Sequence, residues 1–275
     1  MWEQNMSIIT PPTIEKIKGK NNDYTQIEFI PDISKFGIES GDNENIIPQT
    51  IQLMKTRVHD LAGCLDSLNV YLNGVLLPSG FQKYVEAYIP SNPQNFQEAE
   101  EKSADESGEV TEEEVVEKKD FIYMRINDRW QIAVAPTSQK FTQVSWVNSI
   151  NTFRGGNHVQ YISDQIVNAV SAYMIKKDKS LSTFANLTLL IKQHLFLFIS
   201  CLIENPTFSS QTKETLTTKQ KDFGSTCELP QRFLNKLITE TNLVPMVLQQ
   251  IKHKQNYELN KVNHITTFIK ILLLF

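Results

Sequence analysis

The alternation of apolar and polar positions predicts a mixed first part of the chain. Seven apolar residues recur at helical spacing and predict an amphipathic helix: Ile47, Ile51, Met54, Val58, Leu61, Ala62 and Leu65. Residues 24–30 (YTQIEFI) predict a strand that ends at Pro31. Residues 69–77 (NVYLNGVLL) predict a hairpin, because Asn73 and Gly74 suit the left-handed conformations of a tight turn.

The second part of the chain has the pattern of a sheet with packed helices. Residues 121–126 and 130–135 are strand-like runs on either side of a polar pair, and residues 143–147 form a third. Residues 195–203 (LFLFISCLI) are apolar throughout, which is typical of a strand covered on both faces. A long helix is predicted between them, with its buried side made by Val159, Ile162, Ile166, Val170 and Tyr173 or Met174. The predicted fold class is therefore α/β (α+β).

An acidic stretch separates the two parts. Residues 98–119 hold ten carboxylates and three lysines, a local charge of −7 in a chain of net charge −4, so the remainder carries +3. The stretch has no apolar periodicity and cannot bury enough surface to offset its ordering entropy. We expect a solvated, disordered insertion or linker at residues 91–120 and a mildly basic remainder for any anionic partner to meet.

The composition of the 275-residue chain is that of an ordinary globular protein, at 40% hydrophobic and 21% charged residues. Its three cysteines, Cys64, Cys201 and Cys227, are too few and too widely spaced for a disulfide framework, so they are interpreted as core residues in a reducing compartment. No secretory signal is expected at the N-terminus. Residues 269–275 (IKILLLF) are too short to span a membrane, so no membrane association is expected.

Generic catalytic motifs do not define a function. The sequence contains no GxxxxGK[ST], GxGxxG, HExxH or GxSxG motif and no paired CxxC. The five histidines have no metal-ligand spacing and are interpreted as structural or solvated. No metal site is expected among the residues of this chain.

Two local features suggest binding. Residues 154–158 (RGGNH) precede the long helix, where glycines permit close backbone approach and the helix dipole favours an anion or a charged partner. A flexible strand-to-helix turn explains the same residues. Lys176, Lys177 and Lys179 end that helix, where they complement its dipole and are also able to contact DNA phosphates.

Longer strings carry a specific resemblance. QVSWVNSINTFRGGNHVQYISDQIV from Gln143 and CLIENPTFSSQTKETLTTKQKDFGSTC from Cys201 closely resemble the transducer region of eukaryotic type II DNA topoisomerases. EFIPDISKFG from Glu28, LNVYLNGVLLP from Leu68 and RINDRWQIAVA from Arg125 resemble the same family in the same order. The resemblance covers most of residues 20–240.

The resemblance implies a division into domains. Residues 1–90 correspond to the C-terminal portion of a GHKL-type ATP-binding domain, and residues 121–250 to a transducer of the ribosomal-protein-like (left-handed βαβ) fold. Residues 251–275 are an atypical C-terminal tail, because the resemblance fades there.

The resemblance also implies site residues. Gln211, Thr212 and Lys213 match the QTK loop, which contacts the terminal phosphate of ATP. Lys213 would place an ammonium against γ-phosphate oxygens, Gln211 would add an amide donor, and Thr212 would mainly position the loop. Lys176, Lys177 and Lys179 align with a basic segment that meets DNA.

The family changes DNA topology by ATP-dependent double-strand passage, acts as a homodimer and is nuclear. Its water-activating glutamate, its Mg²⁺ ligands and its DNA-cleaving tyrosine have no counterpart in this sequence. We therefore expect a fragment of a larger enzyme, without ATP turnover of its own. Two alternatives stay open: a truncated, non-catalytic paralogue that binds DNA or full-length subunits, and an inactive relic that does not fold stably.

Overall fold

The computed structural model describes residues 2–4, 6–15, 24–31, 43–89 and 119–272. Its contacts divide the chain into two units, Met1–Thr50 and Ile51–Phe275. Most of the predicted acidic insertion at 91–120 lies outside the described residues. In the part of the chain that is described, no helix is long and apolar enough to cross a membrane.

The first unit contains a small hairpin of β1 (Trp2–Glu3) and β2 (Ile8–Ile9), and the start of helix α1 (Asn43–Cys64). The predicted strand at residues 24–30 is wrong: these residues form no strand. Ile27, Phe29 and Ile30 are 84%, 69% and 96% exposed. An apolar run becomes a strand only where a neighbouring strand takes up its backbone hydrogen bonds, and none of the described residues pairs with it.

The second unit begins within α1, which confirms a helix at the predicted position. Of its predicted apolar side, Ala62 is buried, whereas Ile51, Met54 and Leu61 are 47%, 49% and 42% exposed. Strands β3 (Tyr71–Leu72) and β4 (Val75–Leu76) form the predicted hairpin. Asn73 and Gly74 adopt φ values of 51° and 81°, as a primed two-residue turn requires. Helix α2 (Phe81–Tyr88) follows.

A five-stranded sheet forms the centre of the second unit. Its strands are β5 (Ile122–Asn127), β6 (Trp130–Pro136), β7 (Thr142–Val147), β8 (Ile150–Asn151) and β9 (Leu195–Cys201), in the order β5-β6-β9-β7-β8. Strand β9 is central, antiparallel to β6 and parallel to β7. The strands predicted in this region are confirmed. The connection from β7 to β9 contains α3 (Asn157–Lys177) and α4 (Leu187–Gln193), so it is a βαβ crossover.

Helices cover both faces of the sheet. The larger core lies under α3, α4, α5 (Gln231–Glu240) and α6 (Leu243–Leu272), and includes the predicted buried side of α3 with Met174. On the other face, Phe81 of α2 packs with Ala133, Trp146 and Phe198. This double cover explains the continuous apolarity of β9. All three cysteines are free thiols, and Cys201 and Cys227 are buried in the core as predicted.

Candidate functional site

The QTK residues lie in a hairpin-like segment that follows β9, here called the 207–218 loop. Two backbone hydrogen bonds close it, from the Thr217 amide to the Thr207 carbonyl (2.9 Å) and from the Ser209 amide to the Thr215 carbonyl (3.1 Å). Leu216, only 1% exposed, inserts into the main core. The base of the loop is therefore fixed, while its tip at residues 210–214 extends away from the core.

The tip forms a tight turn without glycine. The Lys213 amide donates to the Ser210 carbonyl (3.0 Å), and Lys213 adopts a left-handed φ of 58°. A non-glycine residue reaches this region infrequently and at a cost in free energy. The Thr212 hydroxyl donates to Glu214 Oε1 (2.9 Å), which helps to hold this conformation.

Two side chains at the tip have unused donors. Gln211 is exposed and Lys213 is half-buried, and neither side chain makes a hydrogen bond or ion pair with any of the residues that the structure describes. The Thr212 hydroxyl is committed to Glu214. An ammonium and an amide on a fixed turn form an arrangement that suits an anionic ligand such as a phosphate.

Residues 154–157 anchor the loop from the start of α3. The Leu216 amide donates to the Gly155 carbonyl (3.0 Å), and the Asn157 amide donates to the Leu216 carbonyl (3.1 Å). The Asn157 side-chain amide donates to the carbonyls of Thr217 (3.0 Å) and Thr218 (2.9 Å).

These contacts decide between the interpretations of RGGNH. The Arg154 amide donates to the Glu214 carbonyl, so it and the Asn157 amide are already occupied by the loop. The loop backbone therefore takes up two of the amides that the sequence left for an anion, and the segment serves as a strand-to-helix turn that anchors the loop. The Arg154 side chain also contacts the loop, because its Nε lies 3.0 Å from Oε2 of Glu214.

At Gly156 the backbone of this anchor passes very close to the backbone of the 207–218 loop. A Cβ atom there would lie 2.6 Å from the Leu216 amide nitrogen and 2.9 Å from its Cα, and closer still to its carbonyl oxygen. The sequence indicated a close backbone approach at the glycines but not its partner, because Leu216 lies sixty residues further along the chain.

The predicted DNA-contacting lysines lie at the other end of α3. Lys176 and Lys177 occupy its last turn, and Lys179 begins a short 3-10 helix, Lys179–Thr183. All three are exposed, and Lys177 Nζ lies 5.4 Å from the centre of the Tyr173 ring. Hydrogen bonds from the Ser180 side chain and amide lower the pKa of Asp178, so a carboxylate lies among the three cations.

Of the histidines, His158 is fully buried beside the anchor. Its Nε2 lies 3.1 Å from Thr152 Oγ1, and its Nδ1 has no partner among the described residues. Burial lowers the pKa of His158 to about 3, so the ring is neutral. This agrees with the structural role predicted for it.

With this geometry established, comparison with known proteins identifies the family. The DNA gyrase B family model matches residues 80–264, more than half of the chain. The chain belongs to the DNA gyrase B family.

Within it, the similarity is to eukaryotic type II topoisomerases. DNA topoisomerase 2 of Saccharomyces cerevisiae is 44% identical over 242 residues, which are 86% of this chain and 15% of that protein. The mitochondrial DNA topoisomerase 2 of Dictyostelium discoideum is 40% identical over 261 residues, 94% of this chain and 19% of that protein. The chain thus spans less than a fifth of the length of these relatives.

Solved structures agree. The ATPase and transducer domains of DNA topoisomerase II from Balamuthia mandrillaris match with a TM-score of 0.62 at 40% identity, over 75% of this chain and 45% of that one. The ATPase region of Saccharomyces cerevisiae topoisomerase II matches with a TM-score of 0.62 at 37% identity, over 90% and 56%. The predicted resemblance and the predicted mixed α/β fold are confirmed.

Proposed function

We propose that this chain is the part of an ATP-dependent type II DNA topoisomerase that senses the γ-phosphate of ATP and transmits its presence to the DNA gate. The observation that carries the proposal is the ammonium of Lys213, which has no partner among the described residues, on an anchored turn. The names of the relatives, all topoisomerases, favour this function over the non-catalytic binding module.

The proposed chemistry belongs to three side chains. Lys213 contacts γ-phosphate oxygens and stabilises the charge that they carry during phosphoryl transfer. Gln211 donates an amide hydrogen bond to the same group. Thr212 positions the turn through Glu214. The structural match to ATPase regions supports ATP as the nucleotide.

The proposed domains follow from the same assignment. Residues 1–90 complete an ATP-binding domain of the GHKL type, residues 121–250 are the transducer, and residues 251–275 form the tail, of which α6 makes a helix as far as Leu272. The described residues contain no group of three or more His, Cys, Asp or Glu that would hold a metal ion. As the resemblance implies, we propose that the Mg²⁺ that accompanies ATP is held by ligands in other segments of the enzyme.

DNA and a second protomer complete the proposal. Lys176, Lys177 and Lys179 contact DNA phosphates, which require positive charge rather than a particular side-chain geometry. ATP favours the closed homodimer around a DNA segment, and hydrolysis restores the open state, so the nucleotide shifts a population between two conformations. We place the enzyme in the nucleus, although one relative is mitochondrial.

Lys213→Ala tests the proposal. The experiment uses a hybrid enzyme, Saccharomyces cerevisiae DNA topoisomerase 2 in which the 242 matched residues are replaced by those of this chain. We expect steady-state ATP hydrolysis and DNA relaxation to fall by about a hundredfold, as for loss of one donor to a developing anion.

Lys221→Ala is the control, since Lys221 is an exposed lysine three residues beyond the 207–218 loop that forms no ion pair within the described residues. It should retain the activity of the parent hybrid. Equal activities for the Lys213 and Lys221 variants would contradict the proposed function.

A further inference from the structure

The carboxylate of Glu214 is placed between two competing cations. Glu214 follows Lys213 directly in the chain and is 22% exposed, yet the two side chains form no ion pair. Instead Oε2 of Glu214 lies 3.0 Å from Arg154 Nε, and Oε1 accepts the Thr212 hydroxyl at 2.9 Å. Both oxygens of the acid nearest to Lys213 in sequence therefore have partners.

The alternative pairing would interfere with phosphate binding. A carboxylate attracts a neighbouring ammonium of opposite charge, and partial burial strengthens this attraction because the local dielectric is lower than in water. If Glu214 turned to Lys213, the ammonium would have to break that pair before it met a phosphate. The same acid also holds Thr212, so its orientation affects two of the three QTK residues.

We propose that Arg154 is a positioning residue that holds Glu214 away from Lys213 and so keeps the Lys213 ammonium available to a terminal phosphate. The inference rests on the proposed function, because it assumes that Lys213 binds that phosphate. Arg154 itself does not contact the nucleotide in this scheme.

Simple stabilisation of the loop does not explain Arg154 as well. Its side chain is 70% exposed, and exposed ion pairs contribute little to folding stability. The loop is already held by the backbone bonds of residues 154, 155 and 157 and by the buried Leu216 side chain. The guanidinium instead determines which cation Glu214 pairs with at the tip of the loop.

The test is a charge-removal series in the same hybrid enzyme. Arg154→Gln should raise the KM for ATP about tenfold, since it removes the competitor that occupies Glu214, with a smaller change in kcat. Arg154→Gln combined with Glu214→Gln should return KM to within about threefold of the parent, because the amide that replaces the acid does not pair with Lys213. Arg154→Lys keeps the charge, so its KM should also stay within about threefold of the parent. Lys221→Gln is the control for loss of a surface cation.

A purely structural anchor predicts the opposite order. The double variant would lose both halves of the pair and would be at least as impaired as Arg154→Gln alone, and that result would overturn the inference. A crystal structure of the Arg154→Gln chain gives a second readout: we expect the Glu214 carboxylate within ion-pair distance of Lys213 Nζ. If Glu214 stays on Thr212 alone and Lys213 stays unpaired, the inference is also overturned.

The two proposals fail in distinguishable ways. If Lys213→Ala leaves ATP hydrolysis unchanged, the proposed function fails and this inference fails with it. If Lys213→Ala is impaired while Arg154→Gln behaves like the parent, only the role of Arg154 is overturned.

Discussion

At residue 156 the backbone has a φ of 140° and passes directly beside the backbone of Leu216. An alanine would place its Cβ against main-chain atoms, which cannot move as the end of a flexible side chain can. We expect Gly156→Ala to lower the free energy of unfolding by about 3 kcal/mol, from the clash and the strained φ together. Urea unfolding followed by circular dichroism measures it.

Gly74→Ala separates the two contributions. Gly74 also has a positive φ, 81°, but an added Cβ would meet nothing within 4 Å. The Gly74→Ala loss should therefore be about 1 kcal/mol, from backbone strain alone. Similar losses at the two positions would show that Leu216 does not constrain residue 156.

His158 makes the stability of this region depend on pH. The folded protein keeps the pKa of His158 near 3, whereas an unfolded chain has the ordinary value of 6.5. Between these values the unfolded state binds more protons, so stability is complete above pH 6.5 and falls as the pH decreases towards 3. From pH 7 to pH 5 we expect a loss of about 2 kcal/mol from this one group.

The measurement is the difference between the parent chain and His158→Gln. Urea unfolding of both at pH 7 and pH 5 cancels the contribution of the carboxylates, which titrate in both proteins. The parent should lose about 2 kcal/mol more than the variant over this interval. Parallel losses would mean that water or another group stabilises the charged ring.

At the scale of elements, helix α2 is stable because it packs against the sheet. Eight residues are too few for a stable isolated helix, so burial of its apolar side must hold it. Phe81 is 1% exposed, and its ring centre lies 5.8 Å from that of Trp146. Tyr84 donates a 2.6 Å hydrogen bond to the buried Asp60. The pKa of Tyr84 is raised mainly by burial and to a smaller extent by this hydrogen bond.

Phe81→Ala should therefore destabilise the protein by about 4 kcal/mol. It should also remove amide hydrogen-exchange protection from α2 before the rest of the sheet opens. Gln82→Ala, an exposed change in the same helix, serves as the control and should stay within about 0.5 kcal/mol of the parent. Unchanged protection in the Phe81 variant would contradict this role of Phe81, because the buried Tyr84 and Val85 would then hold the helix without it.

The elements also show what local patterns predict. Ile162, Ile166 and Val170 recur at helical spacing because one side of α3 is buried, so the periodicity alone locates that helix. The run at 24–30 has the composition of a strand, but whether it pairs depends on a neighbour that its own residues do not specify. The glycines indicate a close backbone approach at residue 156, but nothing local identifies Leu216 as its partner, since the contact forms only when the crossover places α3 beside the loop.

The candidate site likewise has one part that the sequence predicts and another that only the structure shows. Lys213 was predicted through the resemblance of a contiguous string. Only the structure shows that its ammonium has no partner among the described residues and that the neighbouring Glu214 pairs with Arg154. Sequence distance hides such a pair: the two residues are sixty positions apart, and each alone resembles an ordinary solvated charge.

At the scale of the whole molecule, α3 connects the two candidate sites. Its first residue, Asn157, holds the 207–218 loop, and its last, Lys177, lies in the basic segment. Its 21 residues correspond to about 30 Å of continuous helix. Under the proposed function, a displacement of the 207–218 loop on phosphate binding would reach the lysines through one rigid element, and this would couple ATP to DNA.

Salt-dependent DNA binding tests the distant end of this connection. Replacing Lys176, Lys177 and Lys179 with alanine should weaken binding of a short duplex to the chain, because phosphate contacts dominate non-specific affinity. The slope of log K against log salt should become shallower by about 0.9 for each phosphate that a lysine no longer neutralises, so up to about 2.7 for three. Fluorescence anisotropy between about 50 and about 200 mM salt measures both quantities.

The control replaces Lys219 and Lys221, exposed lysines near the base of the 207–218 loop, and should leave the slope unchanged. An equal change for both sets would indicate diffuse attraction to surface charge and would contradict a DNA contact at the end of α3.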